Sequence, residues 1–140
     1  MYFLYNSPMS LDDFGGWSGN VGEFDQVMGH SLLGHAFLRD SKSGEFAVLY
    51  PFRQAYKQYG KFSDLSEFKS SILDDSGFTE YVLLPSHVEL ISTRLGPISV
   101  DQVYIPLPYP HLGGDESPET YAIGKFREFM ILVASSHGYE

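Results

Sequence analysis

Apolar residues in the first half of the chain come in short runs broken by polar turns. In the second half they recur at helical spacing. The clearest runs are His35–Arg39 (HAFLR) and Glu45–Tyr50 (EFAVLY), separated by the polar stretch Asp40–Gly44. Two apolar runs joined by a short polar segment with a late glycine predict a β-hairpin with a longer loop. Gly44 supplies the left-handed backbone position such loops need. Pro51 has no N–H to donate, so it ends the second strand or lies on a sheet edge. Ala55–Tyr59 then predicts a third strand, closed by Gly60. A meander of this kind buries one face and leaves the other in water. The later segments are expected to cover the buried face.

Ser63–Leu73 begins with Asp64 and Glu67 three residues apart, the spacing of a capping box. Leu65, Phe68, Ile72 and Leu73 fall on one helical stripe. Asp74 and Asp75 follow, and carboxylates at a helix C-terminus are electrostatically unfavourable. Phe78–Leu84 fits a strand or a helix by pattern. Pro85 suits a helix start. Val88, Ile91 and Leu95 share a helical face, which Gly96 and Pro97 terminate. Val103–Pro108 alternates, but its two prolines place it at an edge or a strand end. Tyr109–Ser117 reads as a long loop. Lys125–His137 predicts the last helix, with Phe126, Phe129, Met130 and Val133 inward. Residues 1–27 carry the weakest pattern. Tyr2–Tyr5 suggests a short edge strand, and Asp12–Gly22 a glycine-rich loop anchored to the core by Phe14 and Trp17.

The reading is α+β: a mostly antiparallel sheet of about five strands with about three helices packed on one face. At 140 residues the chain is expected to form a single domain, 1–140. It has no cysteine, which excludes disulfides, cysteine nucleophiles and thiolate metal sites. No apolar run approaches a membrane span, and the N-terminus lacks the pattern of a signal peptide, so a cytoplasmic location is expected.

The net charge is −9. It is uneven: residues 1–70 carry six Lys/Arg against eight Asp/Glu, and residues 71–140 carry three against ten. This argues against a nucleic-acid partner, which requires basic patches. It suits a basic protein partner, because complementary potentials steer encounter.

Signatures of catalysis are sparse. His30 and His35 lie five apart across Gly34, the wrong spacing for one helical face, and the zinc pattern H-E-x-x-H does not occur. His35 reads as a packed, hydrogen-bonded residue. No G-x-S-x-G elbow, P-loop or G-x-G-x-x-G is present. The carboxylate pairs Asp12–Asp13, Asp74–Asp75 and Asp115–Glu116 are sequence neighbours, which gives no sign of two groups facing across a cleft. No catalytic residue, metal or cofactor is therefore assigned, and the chain is expected not to be an enzyme. A small hydrolase or ligand-binding module using loop His and Asp residues is the alternative. It would require a pocket holding a histidine within reach of a carboxylate.

Three segments resemble a known family: 32–51 (LLGHAFLRDSKSGEFAVLYP), 67–98 with its FTEYVLLPSHVELISTRLGPI, and 103–121 (VYIPLPYPHLGGDESPETY). They are similar to the C-terminal domain of bacterial immunity proteins against type VI secretion DNase toxins, often found after a GAD-like domain. The resemblance runs from Met28 to Gly138. It implies neutralisation of a cognate toxin, a basic nuclease-like effector, by stoichiometric binding that blocks its active site. An acidic face would then mimic phosphate. The candidate contacts are Asp74, Asp75, Glu80, Asp115, Glu116 and Glu119, with Tyr109 and His111 as anchors.

Overall fold

The apolar runs form five neighbouring strands in which sheet order equals chain order. The computed structural model describes residues 1–140. The strands are β1 (Tyr2–Ser10), β2 (Gln26–Ser31), β3 (Ala36–Arg39), β4 (Glu45–Tyr50) and β5 (Ala55–Lys61), arranged β1-β2-β3-β4-β5 and antiparallel throughout. The expected hairpin is β3–β4, with Ala36 opposite Leu49 and Leu38 opposite Ala47. Gly44 has φ +79° in its loop. Pro51 ends β4 and opens a 3₁₀ turn, Pro51–Arg53. Gly60 does not close the third strand: β5 runs on to Lys61 across a bulge opposite Phe46 and Ala47.

The expectation of one wet face is overturned. Side chains alternate along β3 and β4, yet both sets are buried. Ala36, Leu38, Ala47 and Leu49 join Val27 in one core. Phe37, Phe46 and Val48 join Met28 in a second core on the opposite face. The physical reason lies in the composition of the strand. FAVL within β4 offers no polar residue for solvent, so both faces need a cover.

Helix α4 (Phe126–Ser136) covers the first face with Phe126, Phe129, Met130 and Val133. The segment after β1 helps, contributing Leu11, Phe14, Trp17, Val21 and Phe24. Trp17 donates its indole N–H to the Met130 carbonyl at 3.0 Å, as a buried indole must find an acceptor. Gly34 permits the close approach of α4. Its φ is +94°, and a Cβ there would lie 2.6 Å from the Phe129 ring.

The second face is covered by α1 (Leu65–Phe68), which widens into a π-helical turn over Lys69–Leu73, and by α2 (Ser76–Phe78), which does the same over Thr79–Leu83. Phe78–Leu84 is therefore helical. Phe68 stacks on Phe46 with centroids 4.6 Å apart. The capping spacing has its expected effect. Asp64 accepts from the Glu67 N–H at 2.8 Å, and Glu67 accepts from the Ser63 N–H at 2.9 Å.

A separate two-stranded sheet joins β6 (Gln102–Pro106) to β7 (Tyr121–Lys125). The sequence did not suggest β7, and α4 starts at Phe126 rather than Lys125. Helix α3 (Pro85–Leu95) packs on this sheet through Val88 and Ile91 against Tyr104 and Tyr121. The small sheet attaches to the large one by a backbone bond from Tyr104 N–H to the Leu32 carbonyl, 2.9 Å. His30 makes a second link. Its Nδ1 faces the Ser31 carbonyl at 2.9 Å and its Nε2 faces the Asp101 N–H at 3.1 Å. A carbonyl only accepts and an amide N–H only donates, so His30 is neutral with its hydrogen on Nδ1. It stacks on Phe126 at 4.1 Å. No helix is long and apolar enough to cross a membrane.

Burial on both faces has a direct test. Val48→Asp and Leu49→Asp point to opposite sides of β4, so a sheet with one wet face would tolerate one of them. Each should cost about 3 kcal/mol or more, from the charge left without a partner, and urea denaturation would measure both.

Candidate functional site

The largest concavity lies where β4, the 3₁₀ turn after it, α2–α3 and the 106–121 segment meet. Its volume is about 780 Å³. Leu33, Phe52, Val82 and Leu84 form apolar wall, while Tyr50, Arg53, His35, His87, Glu116 and Tyr121 bring polar atoms to it.

The sequence folds this way for local reasons. Pro51 turns the chain out of β4 and sets Phe52 and Arg53 beside Tyr50. The Arg53 guanidinium sits 5.7 Å over the Tyr50 ring, and His35 meets the same ring edge-on at 5.2 Å. Pro85 starts α3 and places His87 in its first turn, where its Nε2 is 3.0 Å from the Tyr121 hydroxyl. Arg94 of α3 donates to the Pro118 carbonyl at 3.3 Å and also to the Tyr121 carbonyl, fixing the far wall. Gly114 allows the 108–114 loop to fold on itself, since a Cβ there would lie 1.9 Å from the Pro108 carbonyl oxygen.

Electrostatics vary around the cavity. Burial, with a contribution from the Arg53 charge, holds His35 down to about 4. His111 is also held below the usual range by desolvation and by neighbouring His137. Burial pushes the Tyr121 hydroxyl up, and the Glu116 charge adds to it.

The structure divides the sequence candidates. His111 and Glu116 line the cavity. Glu80 lines a smaller depression that shares Leu84 and His87 with it. Asp75 lines a groove that shares Tyr50, Tyr81 and Val82 with it. Tyr109 stands behind the cavity, packed on Phe52 at 5.4 Å and stacked with His111 at 5.7 Å. Asp115 and Glu119 are exposed on the same loop, and Asp115 is engaged by the Ser117 N–H and hydroxyl at 3.0 and 2.9 Å.

Asp74 stands apart. It pairs with Lys69 at 2.7 Å and accepts from the Tyr2 hydroxyl at 2.5 Å, and these two bonds hold it below the usual carboxylate range. Asp75 is not a misplaced helix-end charge. It is the N-cap of α2, accepting from Gly77 and Phe78 N–H groups at 3.0 and 3.3 Å, where a carboxylate is favoured.

Sequence reasoning missed Tyr50, Arg53, Tyr81 and His87. They come from separate elements, and no local pattern marks them as neighbours. His35 was read as packed and hydrogen-bonded, which holds: its Nδ1 is 2.7 Å from the Ser31 hydroxyl. That reading did not reveal that His35 lines the cavity. No histidine nitrogen lies within 4.0 Å of a carboxylate oxygen, since Lys69–Asp74 is the only ion pair of that reach. The His–carboxylate contact required by the hydrolase alternative is therefore not made. No group of three or more His, Asp or Glu is set to hold a metal ion.

No protein-family model matches the chain. No curated protein matches it either. In three dimensions it is similar to the crystal structure of Atu4351 from Agrobacterium tumefaciens, with a TM-score of 0.57 and 14% sequence identity over 96% of this chain and 86% of that one. At that identity the likeness concerns the fold alone.

The depressed His35 pKa couples stability to pH. The folded state resists protonation of His35 to about 4, whereas the unfolded chain takes up the proton near 6.5. The unfolded state therefore binds more protons between these values, and stability falls as pH drops through that window. The His35 contribution is about 3 kcal/mol at most. Chemical denaturation at a series of pH values should show this acid-side slope, and His35→Gln should reduce it, the remainder coming from His30 and His111, whose pKa values burial also lowers.

Proposed function

We propose that this protein is an immunity protein that binds a cognate antibacterial toxin, a nuclease delivered by type VI secretion, and neutralises it by stoichiometric occlusion of the toxin's active site. The observation that carries this reading is the cavity rim. Tyr81 is 76% exposed at the junction of the cavity and the groove beside it. Asp75, Glu80 and Glu116 belong to the same connected depressions. A large exposed aromatic surrounded by carboxylates is the composition of an interface anchor with a charged periphery.

The acid surplus of residues 71–140 supports the same partner. A nuclease binds phosphates with a basic groove, and carboxylates on a folded surface present comparable negative charge. Tyr81 would enter the groove while Glu80, Glu116 and Glu119 meet its Lys and Arg side chains. Blocking needs no chemistry from the immunity protein, only a complex that outlives the encounter with DNA. Asp74 is left out of this account, because Lys69 and Tyr2 already engage its carboxylate.

Purification of the tagged protein from its native strain should recover a basic nuclease, with the product of the neighbouring gene as the expected partner, and the complex should not cleave DNA. Tyr81→Ala should leave folding intact and weaken the complex by about 2 kcal/mol, the size of an interface hot spot. Reversing Asp115, Glu116 and Glu119 together should mainly slow association, with the effect shrinking at high salt. Recovery of no nuclease, or unchanged binding by both variants, would sink the reading.

A further inference from the structure

We propose that the interior of the cavity binds a small molecule bearing a carboxylate on an aromatic stem, held by the Arg53 guanidinium and the Nε2–H of His35. This goes beyond toxin binding, which uses the rim.

The hydrogen-bond inventory fixes the orientation of His35. The Ser31 hydroxyl oxygen accepts from the Leu33 N–H at 3.2 Å and from the His35 N–H at 3.0 Å. These two donors occupy both of its lone pairs, so its own hydrogen goes to His35 Nδ1, 2.7 Å away. A neutral imidazole whose Nδ1 accepts carries its hydrogen on Nε2. That donor has no partner in the protein, yet it is not sealed off. The one buried side-chain polar atom without a partner is the Tyr5 hydroxyl. His35 lines the cavity, so its Nε2–H is open to it.

Arg53 lies on the same wall. Tyr50 packs against both residues, edge-on to His35 and beneath the Arg53 guanidinium. Arg53 has no ion-pair partner, although the protein carries eighteen Asp and Glu residues. A charged fork and a fixed neutral donor on one wall form a recognition element for a carboxylate, which accepts from both. Glu116 also lines the cavity, beside Tyr121 and not paired with Arg53. Its charge repels an anion, so a bound carboxylate favours Arg53 and His35 over Glu116. The rest of the lining includes Phe52, Leu33 and Val82, aromatic and aliphatic surface that suits a flat apolar stem. The volume of about 780 Å³ falls within the range of roughly 300–1,000 Å³ usual for small-molecule sites.

The test is a titration of the full-length protein with benzoate, phenylacetate and 3-phenylpropionate, with phenylethylamine as the cationic counterpart. Histidine side-chain ¹⁵N resonances report the site. At least one acid should bind saturably and shift the His35 Nε2 signal, and the amine should not. Arg53 is exposed, so Arg53→Met should fold normally and weaken the acid about tenfold, the loss of one charge-assisted contact. Absence of saturable binding by all the acids, equal binding of the amine, or unchanged affinity in Arg53→Met would each overturn the proposal. None of these outcomes bears on the toxin complex, which is scored by nuclease recovery and by the Tyr81→Ala variant.

Discussion

A sheet whose central strands bury apolar side chains on both faces imposes the rest of this structure. β3 and β4 are apolar on both sides, so the chain must supply two independent covers. One is α4 with the segment that carries Phe14 and Trp17. The other is the α1–α2 region with Phe68, Leu73, Phe78 and Leu83. Neither cover is large. Helix α4 reaches its face because Gly34 leaves room for Phe129 to approach. The two covers leave a gap at one end of the sheet, and α3 with the β6–β7 sheet fills it only in part. The cavity is what remains.

Polar groups enclosed by this arrangement are matched with few side chains. His30 joins the large sheet to the start of β6 while stacking on Phe126. Ser31, its neighbour, orients His35. Adjacent residues at the end of β2 thus serve different tasks, one holding the two sheets together and the other orienting a residue of the cavity wall. Trp17 closes the far side by donating to α4. Such one-to-one satisfaction makes each of these residues hard to replace, because its partner would be left buried and unpaired.

Much of the fold was legible because it is encoded locally. The hairpin, the third strand, the Asp64 cap, the Pro85 start and the inward face of α4 all follow from neighbouring residues. β7 was not legible: Tyr121–Lys125 is short, contains Gly124, and pairs only with β6. The wet-face expectation failed because a short apolar run says that a strand is buried but not on how many sides. Of the site, the acidic loop was visible as charge and glycine content. The cavity was not, because Arg53, Tyr81, His87 and Tyr121 become neighbours only through packing. Asp75, marked for its charge, has a second task that its charge did not announce, because its carboxylate caps α2.

Sheet order that follows chain order also sets a schedule for synthesis. All five strands can pair as they emerge, and the α1–α2 cover follows directly on β5. The opposite face receives α4 only after α3, the small sheet and the long loop have been made. Until then Val27, Leu38 and Leu49 have the early Trp17 segment and, once β6 is made, Val103 as their only shelter. A nascent chain stalled before residue 126 would therefore present a finished sheet with one greasy side, the kind of surface that chaperones bind and that aggregates grow from.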